Sequence, residues 1–115
     1  MNRQILGQRA EQQAKEFLQR QGLILIDKNY RCRHGEIDLI MKDGSQLVFI
    51  EVRYRKNEAF GGPLASVDHK KRAHLIATAS HYLQSKKTPG SARFDVVGIT
   101  GENQIDWVKN ALEAD

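Results

Sequence analysis

The sequence predicts an α/β fold, a mixed β-sheet flanked by helices in the order α-β-β-β-α-β-β. Residues 2–21 and 66–85 have apolar side chains at three- and four-residue spacing, which is typical of amphipathic helices. Short runs rich in branched apolar residues fill the segments between and after them, which is typical of strands. A helix between the third and fourth strands favours a crossover that leaves these two strands parallel, so the sheet is expected to be mixed.

Chain length and composition narrow the class of protein. The 115 residues fit one domain, 1–115, and 40% of them are hydrophobic without any run long enough to span a bilayer. The first residues are polar and lack the apolar core of a signal peptide. Cys32, the single cysteine, cannot form an internal disulfide. We therefore expect a cytoplasmic protein that does not insert into a membrane.

The first helix is predicted over residues 2–21, with Gly22 placed to end it. Its apolar stripe consists of Leu6, Ala10, Ala14, Phe17 and Leu18. Glu11 lies on the border of that stripe. A glutamate there is either a solvated flank or a group that serves a site on the sheet, and the periodicity leaves both interpretations open.

The first strand is predicted in two pieces. Residues 23–26 are all apolar, the polar residues 27–29 interrupt them, and residues 30–32 continue to a turn. Gly35 provides the backbone freedom needed to enter the next strand.

A β-hairpin over residues 36–53 is the centre of the predicted sheet. Two apolar runs are joined by residues 43–46, Asp-Gly-Ser-Gln, a composition typical of a tight turn with a Gly44–Ser45 loop. Counting outward from that loop predicts three opposed pairs on one face: Ile40 with Phe49, Asp38 with Glu51, and Glu36 with Arg53. The other face then receives Ile37, Leu39, Met41, Val48, Ile50 and Val52.

This register gathers three carboxylates and one guanidinium in an apolar ribbon. Two carboxylates about 5 Å apart repel by about 3 kcal/mol at an effective dielectric constant near 20. A divalent cation would convert the repulsion into binding, since Mg²⁺ and Mn²⁺ prefer carboxylate oxygens. In the alternative interpretation, Arg53 neutralises Glu36, and Asp38 or Glu51 points to solvent at a strand end.

The second half of the chain begins with residues 57–63, a glycine-containing segment that is either a plain connector or a mobile loop beside this patch. Ser66 is the predicted N-cap of the second helix, and strands are predicted over 93–99 and 105–108. Lys70, Lys71 and Arg72 bring positive charge to the start of that helix, where cations oppose the helix dipole. They indicate either a phosphate contact or a solvated basic face.

The residues of the hairpin also match a known family. The segments 35–40, 48–55 and 93–97, with Gly7, Glu11, Ala14, Phe60, Gly61, Val67 and Lys71, are together similar to the YraN family of small bacterial proteins. That family resembles the PD-(D/E)xK nucleases of the Holliday-junction-resolvase type, whose restriction-endonuclease-like fold is a mixed sheet flanked by helices. The resemblance spans nearly the whole chain.

The resemblance implies a role for each residue of the patch. Asp38 and Glu51 would be catalytic and would hold Mg²⁺ or Mn²⁺, with Glu11 as a further ligand. Glu36 would be a supporting residue or an alternative ligand. The nuclease pattern has lysine where this chain has Arg53, which cannot act as a base but can clamp a phosphate. The predicted nucleic-acid contacts are Arg55, Lys56, Lys70, Lys71 and Arg72.

Three functions are consistent with these expectations. The first is a metal-dependent endonuclease that hydrolyses phosphodiesters of branched or structured DNA, and the resolvase resemblance also implies a homodimer. The second is a nuclease fold that binds nucleic acid without cleaving it, which Arg53 favours. The third is a protein–protein adaptor that binds neither metal nor nucleic acid. The net charge of +4 is compatible with a polyanionic partner.

Overall fold

The structure is a computed structural model, and it describes residues 3–56, 67–87, 90–101 and 104–112. In these ranges, two helices and five strands follow the predicted order. Their bounds are α1 Arg3–Arg20, β1 Ile24–Cys32, β2 Gly35–Asp43, β3 Gln46–Arg55, α2 His69–Lys86, β4 Ala92–Thr100 and β5 Gln104–Val108. Within these ranges neither helix is long and apolar enough to cross a membrane.

All five strands form one sheet in the order β1-β2-β3-β4-β5. Strands β3 and β4 are parallel, and every other neighbouring pair is antiparallel. Helix α2 lies in the connection between the two parallel strands, as a crossover requires. The predicted mixed sheet is confirmed.

Each face of the sheet has its own apolar cluster, because the strands alternate in direction of side chain and each helix covers one face. The α1 face contains Ala10, Ala14, Leu18, Leu23, Leu39, Met41, Val48, Ile50, Val97 and Ile99. The α2 face contains Ile37, Ile40, Leu47, Phe49, Leu75, Ala79, Tyr82 and Leu112. The middle of the central strand β3 is therefore buried on both sides, and its Glu51 is buried with it.

The predicted hairpin register is confirmed from Asp43–Gln46 to Leu39–Ile50, and Gly44 has the positive φ of 62° that the tight turn needs. The ladder then ends, so Asp38–Glu51 and Glu36–Arg53 are not ladder pairs. The placement of Ile37 on the same face as Leu39 was wrong. Ile37 packs in the α2 cluster instead.

Strand β1, which pairs with this part of β2, is itself irregular. The strand is continuous, so the predicted break at residues 27–29 was wrong, but its register shifts between Leu25 and Asp27 and Asn29 has a φ of 52°. Tyr30 is then paired with Ile37 and packs with it on the α2 face. A left-handed residue followed by normal pairing changes which face the next side chains reach, and period-2 counting cannot anticipate it.

Helix α2 begins three residues later than predicted. Asp68 is the N-cap, and its Oδ1 accepts a hydrogen bond from the Lys71 amide at 2.8 Å. The predicted cap, Ser66, and the predicted mobile loop 57–63 lie outside the described residues. Helix α1 agrees with the prediction, and Gly22 after it has a φ of 98°.

Candidate metal and nucleic-acid site

Asp38 lies where the β2–β3 ladder ends. Its Oδ2 accepts a hydrogen bond from the Val52 amide at 2.8 Å, so the carboxyl group takes a position that a backbone carbonyl would otherwise fill. Burial raises the pKa of Asp38 from its ordinary 3.8 to about 9, helped by the hydrogen bond and charge of Glu51 and, more weakly, by the charge of Glu11. The Val52 amide acts in the opposite direction. Asp38 is therefore harder to ionise than a free aspartate, because it lies beside a second carboxyl group.

Glu51 is that second carboxylate, and it is only 5% exposed. Two cations approach its Oε2, the Lys71 ammonium at 3.0 Å and the Arg53 guanidinium at 3.3 Å. Neither contact has the direction of a hydrogen bond. Among the described residues, Oε2 of Glu51 and Nε of Arg53 are the two buried side-chain polar atoms without a hydrogen-bond partner. Such atoms are costly unless a ligand or water completes them.

Lys71 reaches Glu51 from helix α2. Lys71 is a predicted contact of the nucleic-acid backbone, and in the structure its ammonium lies against the carboxylate of Glu51. The spacing contained a signal for this position. Lys71 precedes the buried Leu75 by four residues, which places both on the face of α2 that packs on the sheet. Lys70, one residue earlier, is exposed.

Glu11 and Glu36 meet through Asn29. The side-chain amide of Asn29 donates hydrogen bonds to Oε1 of Glu11 at 2.9 Å and to Oε1 of Glu36 at 3.3 Å. Glu36 also forms an ion pair with Arg31 at 3.3 Å. The predicted proximity of Glu36 to Arg53 is thus replaced by contacts with β1. No sequence pattern identified Asn29, whose left-handed backbone turns its side chain to this position.

The predicted site residues therefore form two neighbouring groups. The first group, which we call the carboxyl pair and its cations, consists of Asp38, Glu51, Arg53 and Lys71. Glu11 and Glu36, bridged by Asn29, form the second. Within the part of the chain that the structure describes, no three His, Cys, Asp or Glu side chains are arranged to hold a metal ion.

The remaining predicted nucleic-acid residues are Arg55, Lys56, Lys70 and Arg72. Three of them are exposed, and Arg72 is half-buried. The guanidinium of Arg55 donates to the carbonyl of Tyr54 at 2.8 Å. None of the four forms an ion pair with a described carboxylate, so their charge is available to an outside partner.

Two grooves adjoin the carboxylates. One, of about 230 Å³, lies between α1 and β1 and is lined by Glu11, Lys15, Lys28 and Asn29, among others. The other, of about 330 Å³, lies between α2 and the β1–β2 turn, and both Glu36 and Lys71 line it. The site thus has a basic groove beside each group of carboxylates.

Comparison with known proteins places the chain in a family. The model of the uncharacterised protein family UPF0102 matches residues 10–99. A UPF0102 protein of Coxiella burnetii is 53% identical over 97% of this chain and 95% of its own length. Relatives from Methylococcus capsulatus and Herminiimonas arsenicoxydans are 47% and 49% identical, over 98% and 97% of this chain and 94% and 90% of their own lengths. The chain therefore belongs to the uncharacterised protein family UPF0102, the YraN family that its motifs resemble.

Proposed function

We propose that this protein is a Mg²⁺- or Mn²⁺-dependent endonuclease that hydrolyses phosphodiester bonds of branched or otherwise structured DNA. The observation that supports it best is the interaction of the half-buried Asp38 with the buried Glu51. Two acidic side chains in a protein interior are costly, and the cost is expected where the pair has a ligand to bind. The resemblance to the nuclease pattern at the same two residues supports the same function.

The chemistry of the donor set fits a hard divalent cation. Asp38 and Glu51 offer carboxylate oxygens only, and Mg²⁺ is commonly held by one or two carboxylates together with water and substrate phosphate. Oε2 of Glu51 has two cations within 3.3 Å but no hydrogen bond among the described residues, so it remains a candidate donor atom. Glu11 is the third candidate ligand, because its charge acts on Asp38. Its present hydrogen bond to Asn29 would have to give way for it to join.

The residues around the carboxyl pair would bind and orient the substrate. When bound, the cation would supply an activated water and would neutralise charge on the phosphoryl group. Arg53 and Lys71 lie within 3.3 Å of Glu51, where their positive charge can stabilise a phosphoryl oxygen. Arg53 remains protonated, so its role is electrostatic. The exposed cations Arg55, Lys56 and Lys70 would contact the DNA backbone, with Arg72 beside them.

The test is cleavage of labelled four-way junction, flap and single-stranded DNA with Mn²⁺ and with Mg²⁺. We expect Asp38→Asn to abolish cleavage while leaving the fold intact, because asparagine can still accept the Val52 hydrogen bond but is a poor ligand. The matched control is Glu16→Gln, which removes an exposed carboxylate from α1 and should leave cleavage unchanged. If the wild type cleaves none of these DNA substrates with any divalent metal, the proposal that the protein is an endonuclease is wrong.

A second function, nucleic-acid binding without cleavage, is favoured by the two cations already held at Glu51. Arg53 and Lys71 could neutralise that carboxylate permanently and leave no need for a metal. This function predicts salt-sensitive DNA binding with a Kd of about 10⁻⁴–10⁻⁶ M that is the same in EDTA and in Mn²⁺. An affinity that rises with Mn²⁺ would exclude it.

A further inference from the structure

The groove between α2 and the β1–β2 turn has walls suited to a nucleobase. It has a volume of about 330 Å³. Its walls include Cys32, Arg33 and His34 from the end of β1 and the turn, and Lys71, His74 and Leu75 from α2. Imidazole rings and guanidinium planes are surfaces on which bases stack, and buried Leu75 adds an apolar surface.

The two walls are fixed against each other. Nδ1 of His74 lies 2.9 Å from the carbonyl oxygen of His34, and since a carbonyl only accepts, Nδ1 carries the proton. Gly35 has a φ of 148°, and a Cβ there would lie 3.2 Å from Oγ1 of Thr78. The close approach of the turn to α2 therefore depends on this glycine. The groove is a preformed part of the fold.

Lys71 links the groove to the carboxyl pair, although neither Asp38 nor Glu51 lines the groove. Lys71 lines it and also contacts Oε2 of Glu51 at 3.0 Å. That oxygen and Nε of Arg53 are buried and lack hydrogen-bond partners among the described residues. These two atoms belong to the carboxyl pair and its cations, so they indicate a ligand there, beside the groove.

We propose that this groove holds one unpaired nucleotide next to the phosphodiester that the carboxyl pair would cleave. The inference rests on the proposed function and narrows its substrate to nucleic acid with an unpaired residue at the cleavage position. The volume is near the lower limit for small-ligand sites, so it suits a single nucleotide. The base stacks on the rings of His34 and His74 with Arg33, and Lys71 contacts the adjoining phosphate.

The test compares a DNA duplex that has one extrahelical 2-aminopurine with the same duplex fully paired. Binding is measured in EDTA by fluorescence anisotropy, so no cleavage occurs. Stacking of one base predicts about 5- to 100-fold tighter binding of the bulged duplex. His74→Ala should remove this preference, and the control His69→Ala, an exposed histidine on the same helix, should retain it.

Alkylation of Cys32 gives a readout that needs no substitution. Cys32 is the only cysteine and lies in the groove wall, so iodoacetamide reports occupancy directly. We expect the bulged duplex to slow alkylation several-fold more than the paired duplex at equal saturation. This measurement decides the question if His74→Ala does not fold. The same bulge in an RNA duplex shows whether the nucleotide comes from DNA or RNA.

Each outcome separates the groove from the proposed function. Equal affinity for bulged and paired duplexes, or an unchanged alkylation rate, overturns the nucleotide groove but leaves the nuclease standing. Retention of the preference by a folded His74→Ala also overturns the groove. Failure to bind any of the duplexes in EDTA overturns the groove, whereas cleavage with Mn²⁺ or Mg²⁺ tests the nuclease separately.

Discussion

Asp38 and Glu51 are the residues on which the account depends. In water two such carboxyl groups would both be ionised at neutral pH. Here burial and their mutual contact raise the pKa of Asp38 to about 9. The pair thus destabilises the folded state. Lys71 and Arg53 offset part of this cost, and they do so only through their contacts with Glu51. A protein is often stabilised when the charged groups of its ligand-binding site are removed.

Replacing Asp38 with asparagine should therefore stabilise the protein, and more at high pH. The folded-state pKa of Asp38 is above its ordinary value of 3.8, so its favourable contribution is complete below pH 3.8 and is lost as pH rises towards 9. We expect Asp38→Asn to raise the free energy of unfolding by about 1–3 kcal/mol at pH 8 and by less at pH 5. Urea unfolding at both pH values measures this. A variant that is less stable than the wild type at pH 8 would contradict it.

At this scale the sequence predicted the meeting of Asp38 with Glu51 but not its geometry. The turn residues and the alternation of apolar side chains determine the register of the hairpin. Alternation of side chains with a period of two does not predict that the ladder ends at Leu39 or that Asn29 is left-handed. For that reason the link from Glu11 to Glu36 could not be predicted from the sequence.

Helix α2 is the element that completes the site. Its N-cap Asp68 determines where the helix starts, and that start places Lys71 over the sheet beside Glu51. The prediction of Ser66 as the cap was made from residue type alone. Asp68 is an equally good cap by type, so composition could not decide between them. The packing of Leu75 on the sheet selects the position along the chain at which the helix begins.

The contrast between Lys71 and Lys70 tests this element directly. Lys71→Met keeps most of the side-chain stem but removes the charge at Glu51, so we expect Mn²⁺-dependent cleavage to fall by about 100-fold. Lys70→Met removes one exposed charge from the same helix and should change cleavage by less than about threefold. Single-turnover cleavage rates measure both, with thermal unfolding as a check on folding. Equal losses in the two variants would show that Lys71 acts only through the general charge of the surface.

At the scale of the whole molecule, a second buried carboxylate joins the parts of the sheet. Asp95 is 1% exposed, and it accepts hydrogen bonds from the Arg93 guanidinium, from the Trp107 indole and from the backbone N–H of Asn110. Arg93 also pairs with Asp43 at 3.0 Å and donates to Gln46. One network therefore connects β4, β5 and the turn of the hairpin. Unlike Glu51, Asp95 has hydrogen bonds at both oxygens, so its role is structural.

Asp95→Ala should lower the free energy of unfolding by about 3–5 kcal/mol, because it leaves Arg93 and the Trp107 donor without their buried partner. Chemical denaturation measures the loss, and the exposed Glu16→Ala should cost less than about 0.5 kcal/mol. A cost below 1 kcal/mol would mean that the network is not needed to hold these strands together.

The overall architecture was predictable from the sequence, and this network was not. The helix between the third and fourth strands is sufficient to predict the parallel pair β3 and β4. The segment 93–97 was interpreted only as a strand that matches the family. Asp95 has three partners, Arg93 on its own strand, Trp107 on β5 and Asn110 after it, and Arg93 in turn reaches Gln46. Only the folded structure brings these residues together.

The most direct test of the central claim is calorimetric titration of the purified protein with Mn²⁺. If Asp38 and Glu51 form a metal site, the wild type and the control Glu16→Gln should bind Mn²⁺ with the same affinity. Asp38→Asn and Glu51→Gln should each weaken binding by at least about tenfold, because each removes one of two carboxylate ligands. Absence of Mn²⁺ binding by the folded wild type, or equal binding by all four proteins, would contradict the account.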